Sequence, residues 1–165
     1  MPISTLFKYL TLVYSETVDK LPIVTLKTDK GNIIIELYPE CAPLTVANFL
    51  KLVDSGFYNG LLFHRYVKNF VIQGGDPDGN GTGGPGWTIP GEFQDKTLRD
   101  KMPNHEKGVI AMARKPTPDS AGSQFYICLN ENTNGYTHLD GNYTTFGRVI
   151  DGIDIVDKLR EGVKC

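Results

Sequence analysis

The sequence is poor in the features that mark disulfide-rich, membrane and nucleic-acid-binding proteins. Its three cysteines, Cys41, Cys128 and Cys165, are an odd number without C-x-x-C spacing, which argues against a disulfide framework and favours a reducing, cytoplasmic compartment. No stretch reaches the roughly 18 apolar residues that a membrane-spanning helix needs. The net charge is −2, so no overall positive field attracts nucleic acid or anionic lipid. We therefore expect neither a membrane nor a nucleic-acid partner.

Signals for metal-assisted, covalent or cofactor-dependent chemistry are also weak. His64, His105 and His138 are scattered without metal-ligand spacing, and no G-x-S-x-G segment marks a nucleophilic serine. The segment Gly79–Gly84 fits G-x-G-x-x-G, but the prolines that follow it do not begin the helix that a nucleotide site requires. We expect no metal and no cofactor, and we interpret these glycines as a loop whose backbone turns tightly or approaches a ligand closely.

Glycine and proline, by contrast, are abundant, with 18 and 10 residues, which is typical of a loop-rich β protein. The 165 residues have the length of one domain with a real core. Residues 1–21 are interpreted as an N-terminal extension, because Lys8 interrupts their apolar stretch and no signal-peptide cleavage site follows. The orderly pattern occupies residues 22–165, which we expect to form a single monomeric domain.

Alternating apolar residues predict short strands joined by turns. Pro43 can begin a helix that Gly56 ends, and apolar residues three apart predict a terminal helix over Gly152–Arg160. Many short strands with two helices favour a mainly β fold, a closed antiparallel barrel that leaves no exposed edge. The predicted strands are Ile23–Thr28, Asn32–Tyr38, Leu61–Val67, Phe70–Gln73, Val109–Arg114, Gln124–Leu129 and Thr145–Ile150.

One predicted strand has polar residues that alternation sorts onto two faces. Phe63, Arg65 and Val67 are expected to share one face. His64 and Tyr66 then share the other. From this pattern alone Arg65 is an ordinary surface arginine, and His64 is interpreted as a hydrogen-bonded core histidine.

Four motifs in order give the chain a resemblance to a known family. They are Phe63–Asp76, Asn80–Gly84, Ala121–Ile127, and Leu139–Gly141 followed by Phe146–Val149. Over about residues 22–163 the sequence resembles the cyclophilins, which are peptidyl-prolyl cis–trans isomerases. The resemblance implies a closed eight-stranded antiparallel barrel capped by two α-helices, with the substrate groove on its outer wall.

The resemblance also implies roles for particular residues. Arg65 matches the family's catalytic arginine, and Gln73 matches a polar groove residue that supports it. The pocket for the proline ring is implied at Phe70, Val71, Tyr126 and Leu139, and further substrate-binding positions at Gly81, Ala113, Arg114, Lys115, Gln124, His138 and Tyr143.

Some of these positions depart from the common family pattern. Val71 stands where methionine is common, and Arg114 where asparagine is common. His138 replaces a frequent tryptophan, and Tyr143 a frequent histidine. The loss of the indole at position 138 predicts weak binding of cyclosporin-like cyclic peptides.

The implied reaction rotates an X-Pro amide and breaks no bond, which fits a site without nucleophile or metal. An apolar pocket can hold the proline ring. Arg65 has a planar fork of N–H donors, which can bond the carbonyl on the carboxyl side of the proline and the nitrogen of the twisting amide. The first hypothesis is therefore a cofactor-free isomerase that acts on proline-containing peptides and assists protein folding. The alternative is a docking module for proline-containing peptides whose isomerase activity is incidental. A nucleotide-binding protein built on the glycine loop is the weakest hypothesis.

Overall fold

The computed structural model describes residues 20–165, so all but the last two residues of the predicted N-terminal extension lie outside the described part. No helix among the described residues is long and apolar enough to cross a membrane. Every predicted strand is present within two residues of its predicted bounds. The strands are β1 Ile23–Thr28, β2 Gly31–Leu37, β3 Phe63–Val67, β4 Val71–Gly74, β5 Val109–Met112, β6 Phe125–Cys128 and β7 Thr145–Asp151.

These seven strands form one antiparallel sheet in the order β1-β2-β7-β5-β6-β4-β3. The predicted closed eight-stranded barrel is therefore wrong, because the sheet is a curled half-barrel with β1 and β3 at its edges. Residues 162–165 lie beside β3, with a single bridge between Leu62 and Lys164. The Asp29 N–H after β1 also donates to the Lys164 carbonyl, at 3.4 Å. This segment contacts both edges but is too short to form a ladder with either.

The longest helix of the described part, α1, spans Pro43–Asp54 and confirms the helix predicted from that proline. The residue at its N-cap, Ala42, has no side chain that could bond the free backbone N–H groups. The buried carboxylate of Glu92, distant in sequence and at the start of a 3₁₀ helix, supplies this cap. It accepts the backbone N–H groups of Leu44 and Thr45 at 3.0 and 2.7 Å, and the Thr45 hydroxyl at 2.6 Å.

Two further α-helices of the described residues are single turns, α2 at Lys96–Arg99 and α3 at Ile153–Val156, and two short 3₁₀ helices span Glu92–Gln94 and Thr133–Tyr136. The predicted terminal helix is correct in position but too long. After Val156 the backbone continues in three-residue turns, with the Leu159 N–H donating to the Val156 carbonyl. These turns still bury Leu159, so the apolar spacing is satisfied without a regular helix.

The core lies on both sides of the central strands. Phe125 and Ile127 of β6 belong to the main cluster beneath α1. Tyr126 and Cys128, which alternate with them, face the opposite way and are buried in a second, smaller cluster. This outer cluster also contains Val71, Ala111, Tyr136 and Leu139.

The alternation predicted for β3 is interrupted by a bulge. The register shifts between Phe63, which pairs with Gly74, and Arg65, which pairs with Gln73. Phe63 is fully buried while Arg65 is exposed, so the two do not share a face. His64 is not the predicted hydrogen-bonded core residue, because it is half-buried and neither ring nitrogen has a hydrogen-bond partner among the described residues.

Candidate active site

A groove crosses the outer face of β3, β4 and β6 and ends at the turn before β7. It contains a cavity of about 320 Å³. Both residues that the resemblance assigns to catalysis line it, together with every residue assigned to the proline-ring pocket. Arg65 is exposed, whereas Val71, Tyr126 and Leu139 are buried beneath the cavity as part of the outer cluster. The lining residues are Arg65, Phe70, Val71, Gln73, Ala113, Arg114, Tyr126, His138, Leu139 and Tyr143.

Polar side chains along the groove form a hydrogen-bonded row that fixes the guanidinium. Arg65 Nη1 donates to Gln73 Oε1 at 3.2 Å, and Gln73 Nε2 donates to Gln124 Oε1 at 2.9 Å. Gln124 Nε2 in turn donates to the Gly83 carbonyl at 2.9 Å. Strand register explains the first contact, since Gln73 on β4 lies directly opposite Arg65 on β3. Each amide is oriented by its neighbour, and the other guanidinium N–H groups of Arg65 have no partner among the described residues.

An aromatic row supports the apolar side of the cavity. The Phe70 ring lies nearly parallel to the rings of His138 and Tyr136, with its centroid 6.2 and 5.5 Å from theirs. The Tyr136 hydroxyl donates to the Phe70 carbonyl and accepts the Leu129 N–H at 3.1 Å. Tyr136 therefore holds the backbone of the pocket in place. Sequence reasoning missed it because it lies in a polar, turn-rich segment without periodicity.

Arg114 is a wall of the groove whose donors are largely committed to the protein. Its guanidinium lies over the rings of Tyr143 and Phe93, 4.5 and 4.9 Å from their centroids. Two of its nitrogens donate to the Asn142 carbonyl, and Nη1 donates to the carbonyls of Lys115 and Pro116. Arg114 therefore links the loop that follows β5 to the loop that precedes β7.

A second cavity, of about 210 Å³, adjoins the first and shares Gln73, Ala113 and Arg114 with it. The remaining predicted positions, Gly81, Lys115 and Gln124, line this cavity. All the predicted site residues therefore lie in one continuous groove. Sequence reasoning missed the other residues of the second cavity, which are Thr82, Gly83, Gly84, Pro85, Trp87, Thr88, Ser120, Gly122 and Ser123.

The glycine-rich loop that borders this second cavity folds around a buried carboxylate. Asp76 accepts the backbone N–H groups of Asp78, Asn80 and Gly81. Burial raises the pKa of Asp76, but these backbone donors outweigh burial and the net pKa is lowered. A Cβ on Gly83 would overlap the Asp76 carboxylate. The interpretation of the glycines as a tightly turned loop is confirmed.

A family model described as cyclophilin type peptidyl-prolyl cis-trans isomerase/CLD matches residues 23–164. A peptidyl-prolyl cis-trans isomerase of Helicobacter pylori is 42% identical over 152 residues, which are 91% of this chain and 87% of that protein. Peptidyl-prolyl cis-trans isomerase B of Bacillus subtilis is 45% identical over 134 residues, covering 81% and 87% of the two chains. Human peptidyl-prolyl cis-trans isomerase-like 3 is 42% identical over 138 residues, covering 84% and 81%.

Solved structures give the same result at the level of the fold. A cyclophilin type peptidyl-prolyl cis-trans isomerase of Cryptosporidium parvum, crystallised in the presence of the dipeptide Ala-Pro, superposes with a TM-score of 0.72 and 29% identity. The match covers 86% of this chain and 97% of that one. Cyclophilin AquaCyp293 of Hirschia baltica superposes with a TM-score of 0.70 and 28% identity, over 85% of this chain and 68% of the other.

Proposed function

Because the chain belongs to the cyclophilin family of peptidyl-prolyl cis–trans isomerases, we propose that the groove described above is where it rotates X-Pro peptide bonds. The family is one of isomerases that need no cofactor. The observation that carries the assignment is a single cavity lined both by a cluster of apolar and aromatic side chains and by a guanidinium. Arg65 lies beside the pocket formed by Phe70, Val71, Tyr126 and Leu139.

The reaction demands selective binding of a twisted amide. Resonance makes the uncatalysed rotation cost about 18–20 kcal/mol, so it takes tens of seconds or longer. Twisting removes the resonance and leaves a lone pair on the proline nitrogen. A site that binds this form better than either planar isomer accelerates the rotation.

The apolar pocket holds the proline ring while the acyl side turns. Val71, Tyr126 and Leu139 are buried and tightly packed, so their surfaces cannot follow the rotating group. The carbon atoms of the proline ring need no hydrogen-bond partner, so a pocket surface made of side-chain carbon suits them. With the ring held, the acyl side rotates, and the pocket binds the ring in the planar and the twisted states alike.

Arg65 supplies the contact that strengthens as the amide twists. Its planar fork of donors reaches the carbonyl after the proline and, in the twisted state, the nitrogen lone pair. Gln73 holds the guanidinium through Nη1, so the remaining N–H groups are oriented before substrate arrives. Loss of one donor that acts in the transition state costs about 10²–10³ in kcat at comparable electrostatic sites.

Proline-containing peptides and folding polypeptides with exposed X-Pro bonds are the proposed substrates. The Ala-Pro dipeptide present with the Cryptosporidium parvum relative supports this class of ligand. Cyclosporin-like cyclic peptides are proposed as weak ligands, because His138 offers a smaller ring than tryptophan. Assistance to protein folding is proposed from this substrate class, and a reducing, cytoplasmic compartment from the three free thiols, Cys41, Cys128 and Cys165.

The test is exchange NMR on a short Ala-Pro peptide with the wild-type protein, Arg65→Ala and Lys68→Ala. Lys68 is an exposed cation in the turn after β3 and lines neither cavity, so it controls for loss of charge. We expect cis–trans exchange to be accelerated by the wild type and Lys68→Ala, and to fall about 10²-fold or more in Arg65→Ala.

The outcomes separate the two functions that the groove could serve. Saturable peptide binding without accelerated exchange in the wild type would favour the docking module over the isomerase. Equal acceleration by wild type and Arg65→Ala would contradict the role proposed for Arg65. A wild-type protein that neither binds the peptide nor accelerates its exchange would contradict the assignment of this groove.

A further inference from the structure

A chain of three hydrogen-bonded side chains, of which Tyr126 and His105 are buried and Asp140 is a quarter exposed, lies behind the proline-ring pocket. The Tyr126 hydroxyl is 2.7 Å from His105 Nε2, and His105 Nδ1 is 2.8 Å from Asp140 Oδ1. The backbone N–H of His105 donates to the same Asp140 oxygen at 2.7 Å. His105 is 1% exposed and Tyr126 is 5% exposed, so neither can readily exchange its partner for bulk water.

The chemistry of the three groups fixes the direction of each hydrogen bond. The Asp140 carboxylate only accepts, so Nδ1 of neutral His105 carries the proton and donates to it. Nε2 is then an acceptor, and the Tyr126 hydroxyl donates to it. Burial lowers the pKa of His105 by more than Asp140 raises it, which favours this neutral form.

The chain connects two walls of the pocket that come from different parts of the sequence. Tyr126 on β6 forms one wall, and Leu139, the neighbour of Asp140, forms another. His105 lies between α2 and β5 and does not line the cavity itself. We propose that His105 is a positioning residue that ties the Tyr126 wall to the Leu139 wall and so sets the width of the proline pocket.

This inference rests on the proposed function and predicts a particular kinetic signature. The pocket walls grip the proline ring in the planar and the twisted states alike, which is uniform binding. Arg65 and Gln73 lie on β3 and β4 and make no hydrogen bond to the three-residue chain. Loosening the walls should therefore raise KM for an X-Pro peptide while kcat stays nearly unchanged.

The experiment is a double-mutant cycle with Tyr126→Phe and His105→Asn. The first variant removes one oxygen and keeps the ring. The second variant keeps a donor to Asp140, because the asparagine amide takes the place of Nδ1. It has no atom in the place of Nε2 to accept the Tyr126 hydroxyl. Each single change should raise KM about five-fold, the effect of one hydrogen bond, and the double variant should be no worse than the weaker-binding single variant. Tyr66→Phe is the matched control, since Tyr66 lines neither cavity, and it should leave KM unchanged.

Several outcomes would overturn the inference. One is a KM that remains at the wild-type value in both single variants. Another is a double variant whose KM rises about 25-fold, the product of the two single effects, because His105 would then not act through the Tyr126 hydroxyl. A wild-type protein without isomerase activity would instead refute the proposed function. Nitrogen-15 NMR of wild-type His105 gives an independent reading that needs no variant to fold. The Nδ1–H tautomer is expected, and the Nε2–H tautomer would overturn the chain as described.

Discussion

His138 is the groove residue whose size should matter most for large ligands. Its exposed imidazole lies parallel to Phe70, with ring planes 12° apart, so a larger ring in the same orientation would extend the stacking surface. We expect His138→Trp to tighten the binding of a cyclosporin-like cyclic peptide about 5- to 20-fold, through added aromatic area and an indole N–H donor. Isothermal titration calorimetry measures the change. An affinity equal to that of the wild type would show that position 138 does not limit binding.

Two adjacent glycines of the loop around Asp76 provide a matched comparison. A Cβ at Gly83 would overlap the Asp76 carboxylate, whereas at Gly84 nothing lies within 4 Å. We expect Gly83→Ala to lower the free energy of unfolding by about 1–3 kcal/mol, because the loop must open or the carboxylate must lose its backbone donors. Gly84→Ala should change it by less than about 0.5 kcal/mol. Urea denaturation of both variants checks this, and equal stabilities would contradict the packing described for the loop.

Single residues of the site were predictable to the extent that they lie in recognisable motifs. Arg65 and Gln73 belong to the longest motif, and both line the cavity. Strand alternation alone placed Arg65 on the same face as Phe63, and the bulge in β3 makes that wrong. His105 could not be found from the sequence, because its partners Tyr126 and Asp140 are 21 and 35 residues away and no periodicity links them.

At the scale of elements, α1 depends on a cap supplied from outside its own sequence. The Glu92 carboxylate satisfies three donors at the start of this helix, and it is buried. Glu92→Ala should lower the free energy of unfolding by about 2–4 kcal/mol, since it leaves these donors without an acceptor. Glu131→Ala, at an exposed position, should change it by less than about 0.5 kcal/mol. Chemical denaturation measures both, and similar values for the two variants would refute the role of Glu92.

The elements themselves were largely predictable, and their closure was not. Strands β1 and β2 follow from alternation on either side of a glycine turn, and α1 follows from Pro43 and apolar spacing. Whether the sheet closes depends on how residues 162–165 pair with its two edge strands, β1 and β3, which come from distant parts of the chain. Such long-range pairing has no local signal, so the sequence could not distinguish a closed barrel from an open curled sheet.

For the whole molecule, the predicted division into an extension and a domain gives a direct test. The family match begins at residue 23, and the groove uses residues from position 65 onward. Deletion of residues 1–20 should therefore leave kcat/KM for an Ala-Pro peptide within about two-fold of the full chain. Exchange NMR provides the measurement. A truncated protein that is folded, as judged by circular dichroism, but inactive would show that the extension contributes to catalysis.

The sheet order also constrains when this protein can fold during its own synthesis. Strand β2 at residues 31–37 pairs with β7 at 145–151, and the start of β3 pairs with residues 162–165. Neither pairing can form until residues 145–165 have left the ribosome, at least about 4 seconds after β3 at elongation rates of about 5–20 residues per second. During that interval β2 and β3 each lack a neighbour and expose a hydrogen-bonding edge. A nascent chain of this isomerase is therefore itself a candidate for chaperone protection, and it gains its groove late in translation.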